Sequence, residues 1–89
     1  MASPKPSADH IVDAGSRLYH ERIRANVERM HAGKFLALDI DSGEYEIADS
    51  LLSASRRLRA RLPDAAVFGV RIGYDTAIRV GGHARVKSP

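Results

Sequence analysis

Between Lys34 and Tyr74 the chain reads strand, turn, strand, helix, strand, and this stretch holds most of the residues able to form a core. Its tightest constraint is Ala66 to Ile72. There Ala66, Phe68, Val70 and Ile72 alternate with Val67, Gly69 and Arg71, a period of two with little polarity on either side. Such a run predicts a central strand covered on both faces. Lys34 to Ile40 is a second short apolar run without clean alternation, which suits another strand partly covered on both faces. Asp41-Ser42-Gly43 predicts a tight turn, because Asp and Ser bond their own backbone and Gly accepts a positive φ. Tyr45 and Ile47 then alternate with Glu44 and Glu46, predicting an amphipathic strand that closes a hairpin with one acidic face in water.

After the hairpin, Asp49 or Ser50 is placed to cap a helix whose Leu51, Ala54, Ser55, Leu58 and Leu62 fall on one side. The helix must end at Pro63, since a residue before proline is pushed out of the helical region. Gly73-Tyr74-Asp75 predicts a turn, and Thr76 to Val80 a short last strand with Ile78 and Val80 inward and Arg79 outward. Upstream, a helical pattern begins between Ser7 and Ser16 and runs to about His31, with Val12, Tyr19, Ile23, Val27 and Met30 as an apolar stripe. Ser16 after Gly15 is either an N-cap or the sign of a weak point inside a longer helix, and Ala32-Gly33 is a C-terminal stop.

The order α-β-β-α-β-β predicts an α+β fold: a small, mostly antiparallel sheet with the helix of residues 50–62 on one face. The longer N-terminal helix packs on it or extends toward another chain. The expected division is a disordered leader over residues 1–9, one domain over 10–81 and a flexible tail over 82–89. Within the domain, residues 10–32 form the helix and residues 34–80 the ββαββ core. In a chain of 89 residues this core is small, and with no cysteine there is no disulfide to reinforce it, so self-association or a protein partner is expected. No apolar run reaches membrane-spanning length and the N-terminus lacks the apolar core of a signal peptide, which points to the cytoplasm and no membrane partner. The formal net charge is +3, unevenly laid out. Asp39, Asp41, Glu44, Glu46 and Asp49 occur without a base between Phe35 and Ser50, and Arg56, Arg57, Arg59 and Arg61 follow. An acidic hairpin beside a basic helix favours self-association or an electrostatically matched partner.

Several chemistries can be weighed against these patterns. Asp41-Ser42-Gly43 after Leu38-Asp39-Ile40 resembles the Asp-Ser/Thr-Gly signature of retropepsin-like aspartic proteases, in which one aspartate from each subunit shares a proton. That resemblance implies a half-site at Asp41, but Glu44 stands where the family has a small residue, and a helical segment occupies the place of its flap strands. The ordinary turn reading is preferred. His20 and His31 lie on nearly the same helix face but about 16 Å apart by helical rise, and His10 and His83 stand alone, so no metal site is expected. The glycines follow no phosphate-cradling pattern, and no cofactor or small-molecule substrate is inferred. Arg56, Arg57, Arg59 and Arg61 would supply phosphate contacts if the chain bound nucleic acid.

From Gly33 to Gly81 the chain resembles a group of small uncharacterised bacterial proteins. The likeness is carried by Gly33-Lys34-Phe35, Asp41-Ser42-Gly43-Glu44-Tyr45-Glu46-Ile47 and Val70-Arg71-Ile72-Gly73-Tyr74. Members of that group are encoded beside retropepsin-like proteases or in toxin–antitoxin-like gene pairs. The strand-strand-helix-strand outline is also similar to antitoxins of the HicB type. Together these readings predict a non-enzymatic interaction module, antitoxin-like or accessory to a neighbouring gene product. Its expected contact surface is the first helix, with Tyr19, Ile23, Val27 and Met30 as apolar contacts and Arg22, Arg24 and Arg29 around them. A nucleic-acid-binding module built on the second helix is the alternative, and the Asp41 protease half-site the third reading.

Overall fold

The computed structural model describes residues 7–74 and 77–78. The leader through Pro6, Asp75, Thr76, the expected strand residues Arg79 and Val80, and the tail with His83 lie outside the described residues. The chain forms helix α1 (Ala8–Leu18), a π-helical turn (Tyr19–Ile23) and helix α2 (Arg24–His31) in direct succession. Strands β1 (Phe35–Asp39) and β2 (Tyr45–Ala48), helix α3 (Leu51–Arg61) and strands β3 (Val67–Arg71) and β4 (Ala77–Ile78) follow. All pairings are antiparallel, in the order β2-β1-β3-β4. The α+β class and the hairpin are as expected, and β3 is an interior strand. The N-terminal helix starts earlier than residue 10: Ser7 is its N-cap and accepts from the His10 amide at 3.1 Å. Gly15-Ser16 therefore lies inside the helix and is not its beginning.

The continuous N-terminal helical run (α1, the π turn and α2) and α3 cover opposite faces of the sheet. Leu36 and Leu38 face the same way as Phe68, Val70 and Ile72, and onto them pack Tyr19, Ile23 and Val27. The other face presents Ala37, Ala48 and Val67 to Ala54 and Leu58 of α3, with Leu62 and Ala65 at the margin. One interface is built of large side chains, the other mainly of small ones. Full burial of one large aliphatic side chain contributes about 1.5–3 kcal/mol, so the first face supplies most of the hydrophobic stabilisation. The N-terminal helix is thus part of its own chain's core. Of the two expected placements this is the first, packing on the chain's own sheet, and its apolar stripe covers Leu36, Leu38, Phe68 and Val70.

The π turn explains how that stripe reaches the sheet. Ile11, Gly15, Tyr19, Ile23 and Val27 lie four residues apart and all lean on the same core. At 3.6 residues per turn each step of four advances about 40°, so a regular helix would carry Val27 about 160° away from Ile11. One extra residue accommodated in a π turn subtracts about 100° and keeps the line on one side. Gly15 completes the contact. A Cβ built there would stand 2.2 Å from Phe68 Cγ and 2.5 Å from Phe68 Cβ, so only glycine lets α1 come this close to β3.

Asp39 organises the loops at the far end of β1. Its buried carboxylate accepts from the Asp41 and Ser42 amides (both 3.3 Å), from Ser42 Oγ (2.8 Å) and from the Ala66 amide (3.2 Å). One side chain thereby shapes the β1–β2 turn and ties it to the loop before β3. Ser50 caps α3, accepting from the Ser53 amide at 3.1 Å, and α3 ends just before Pro63 as the sequence predicts.

Candidate interaction surface

At the opposite end of the sheet, α2 turns into β1 through Gly33, whose φ of 92° reverses the chain. The Gly33 amide donates to Ile72 O and the Ile72 amide to Lys34 O, both at 2.8 Å, so the helix exit is pinned to the end of β3. Beyond β3 the chain turns at Gly73, also at φ 92°, and the Tyr74 amide donates to Arg71 O at 3.0 Å. Phe35 and Arg71 are register partners on β1 and β3. The Arg71 guanidinium lies 5.3 Å from the Phe35 ring centroid and 4.4 Å from that of Tyr74, and its Nε donates to Gly33 O at 3.2 Å. Stacking on both rings and the Nε bond fix the guanidinium plane, and its Nη groups make no hydrogen bond among the described residues.

Three large apolar side chains stand out from the described surface. Met30, in the last turn of α2, is 79% exposed and Tyr74 is 52% exposed; the third, Leu52 at 62%, is in the first turn of α3. Beside the Phe35–Arg71 pair, Lys34 Nζ pairs with Asp49 at 2.6 Å, and this hydrogen bond holds the Asp49 carboxyl below its ordinary range.

The residues expected to form the partner surface separate into two groups. Tyr19, Ile23 and Val27 are buried against the sheet and offer nothing to a partner. Their helical spacing marked an apolar stripe correctly, and the stripe's destination is the chain's own core. Met30 remains outside, and Arg22, Arg24 and Arg29 are exposed on the outer surface of the helix. Arg24 is engaged with Glu28 at 2.9 Å and lies 3.5 Å from His20 Nδ1. The sequence reading gives Arg71 no contact role; the available signal is its position at the end of the most regular strand, and the structure places it directly opposite Phe35.

Arg56, Arg57, Arg59 and Arg61 do not act as one cluster. Arg61 pairs with Glu44 at 2.6 Å and Glu46 at 2.9 Å, and the hydrogen bond to Glu44 raises its already high pKa. Arg57 donates to Ile47 O at 3.3 Å. Arg56 and Arg59 are exposed and make no ion pair among the described residues. The acidic hairpin and basic helix therefore meet within one molecule. Residues 7–74 contain ten Lys/Arg and ten Asp/Glu, so the net +3 comes from Lys5, Arg79, Arg85 and Lys87 against Asp75.

Asp41 is an exposed turn residue; the buried aspartate of the pair is Asp39, with both oxygens engaged in the hydrogen bonds described above. His10 and His20 are exposed, and no group of three or more metal-ligating side chains occurs among the described residues. Among these residues no helix is long and apolar enough to cross a membrane. Burial pushes the Tyr19 phenol above its ordinary pKa and Glu28 adds to the shift, while Arg24 and the Gly73 amide pull weakly the other way. Its hydroxyl and that of Ser55 are buried without a hydrogen-bond partner of ordinary geometry.

No family model, curated protein or solved structure matches this chain.

Proposed function

We propose that this chain is a non-enzymatic bacterial protein-interaction module, an antitoxin-like or accessory partner of a protein encoded beside it. Its contact surface is the end of the sheet formed by Met30, Arg71 and Tyr74. The observation that carries this reading is an arginine immobilised between two aromatic rings, with an exposed tyrosine on its outer side and an exposed methionine in the adjoining helix turn. Tyr, Arg and Met are the residue types enriched at interface centres, and an arginine already held in place loses little side-chain entropy on binding. The Arg71 Nη groups suit a carboxylate or main-chain carbonyl of the partner.

The test is co-expression of the full chain, tagged, with the product of the adjacent gene. Wild type is expected to retain that protein in a fixed ratio, and Tyr74→Ala with Met30→Ser to weaken the complex by about 2 kcal/mol or more, near thirtyfold. Equal retention by the double variant, or recovery of the chain with nucleic acid in place of protein, would refute the assignment.

The second reading, nucleic-acid binding through α3, is favoured by the outward placement of Arg56 and Arg59. With Arg57 and Arg61 engaged inside the fold, two free arginines predict a shallow salt dependence, a slope near −1.8 in log K against log salt at about −0.9 per phosphate. Binding unaffected by Arg56→Ala with Arg59→Ala would remove that reading.

A further inference from the structure

Strand β2 is the outer strand on one side of the sheet. The Asp39 amide donates to Glu44 O across the hairpin at 2.9 Å. By antiparallel alternation the main-chain groups of Tyr45 and Ile47 then point away from β1, toward the open edge. Both outward carbonyls are taken by α3: Arg57 Nη1 donates to Ile47 O at 3.3 Å and Arg61 Nη2 to Tyr45 O at 3.5 Å. The spacing fits, since four helical residues rise about 6 Å and two strand residues about 6.7 Å. Arg61 is further held by Glu44 and Glu46, so the strand's own acidic residues keep the arginine over its edge.

We propose that Arg57 and Arg61 close the β2 edge against strand addition, and that the partner they exclude is a second copy of this chain. An open β2 edge is complementary to itself. In a twofold pairing centred on Glu46, Tyr45 of each copy lies opposite Ile47 of the other, and their outward amides and carbonyls form four hydrogen bonds that join the two sheets. The guanidinium groups remove both acceptors from that pairing. Glu46 adds a second barrier, because in the joined sheet it would face its own counterpart as a like-charge pair.

The test compares wild type with a full-length Arg57→Ala, Arg61→Ala, Glu44→Gln, Glu46→Gln variant, in which both the guard and the like-charge barrier are gone. Sedimentation is read together with amide hydrogen exchange. The variant is expected to associate at concentrations where wild type shows no association through this edge, with the Tyr45 and Ile47 amides changing from fast to slow exchange. Arg57→Met alone removes the donor, frees the Ile47 carbonyl and leaves the Arg61 pairs intact, so it covers the case in which the multiple variant does not fold. It is expected to show the same change at higher concentration. The proposal is overturned if neither variant associates, if either associates without slowing these two amides, or if they are already slow in wild type.

Discussion

Replacing Gly15 with alanine sets two effects of known sign against each other. In an exposed helix interior Gly→Ala stabilises by about 1 kcal/mol, through helix propensity and a less disordered unfolded chain. Here the new Cβ would lie 2.2 Å from Phe68 Cγ and 2.5 Å from Phe68 Cβ, where ordinary contact begins at 3.4 Å. Turning the phenyl ring relieves only the first clash, because the Phe68 Cβ moves with the β3 backbone. The helix must therefore rise by about 1 Å, and a gap of that size forfeits a quarter to a half of each dispersion contact across the interface. The same displacement loosens Tyr19 and Ile23 on Leu36, Leu38 and Val70. Overpacking costs about 1–3 kcal/mol and more where neither side can yield. The upper end applies to a contact between helix backbone and strand Cβ, leaving a net loss of about 2 kcal/mol. At 4–8 °C per kcal/mol, Tm should fall by about 8–16 °C, with a matching drop in the urea midpoint at unchanged m. Adding Phe68→Leu should not restore stability, because its Cβ remains. If Gly15→Ala raises Tm as an exposed site would, α1 does not rest on β3 at this point and the packing described here is wrong.

Other substitutions probe separate features. Tyr19→Phe removes a buried hydroxyl that has no hydrogen-bond partner of ordinary geometry and only a weak influence from the Gly73 amide, and is expected to be neutral or stabilising by about 1 kcal/mol at pH 7. Because the folded phenol titrates above its ordinary value of 10.0, wild type should lose stability as pH rises past about 10, where the unfolded tyrosine ionises first. Tyr19→Phe should flatten that alkaline decline, and an unchanged decline would exclude Tyr19 as its source. Asp39→Asn leaves one acceptor oxygen for four donors and should cost about 2–4 kcal/mol in urea unfolding, with faster exchange at the Ala66 amide; a loss below about 0.5 kcal/mol would contradict the role given to this carboxylate. Deleting Glu21 should convert the π turn to regular helix and leave stability within about 1 kcal/mol of wild type by thermal melts. Inserting one alanine after Glu21 should cost several times more, and equal effects of deletion and insertion would undo the phase account.

Much of the fold was legible because it follows from local chemistry. The Ser50 cap, the stop before Pro63, the Asp41–Gly43 turn and the alternation through β3 each depend on residues close in sequence. What was not legible depends on which elements face each other. The strict four-residue spacing from Ile11 to Val27 was present in the sequence, but its meaning as a π turn needs a flat apolar face to hold it. Asp41 drew notice because it stands in a known triplet, whereas Asp39, two residues earlier, carries the structure since its side chain turns inward. The runs of acidic and basic residues suggested a charged partner, yet α3 lies alongside the β2 edge and Arg61 meets Glu44 and Glu46 in the same chain. Charge segregation along a sequence says little about charge segregation in space when a helix returns beside the strand that precedes it.

The unequal faces of the sheet also set an order of disassembly. Helix α3 rests on the small side chains Ala37 and Ala48 and on Val67, whereas the N-terminal helix covers Leu36, Leu38, Phe68 and Val70, so detaching α3 should uncover less apolar area. Its amides should therefore exchange through a subglobal opening of lower free energy than those of β1 and β3. The two arginines over the β2 edge leave with the helix, so the first segment to open also exposes the strand most able to pair with another copy. Shelf life in concentrated solution should then follow the frequency of α3 opening more closely than the global stability.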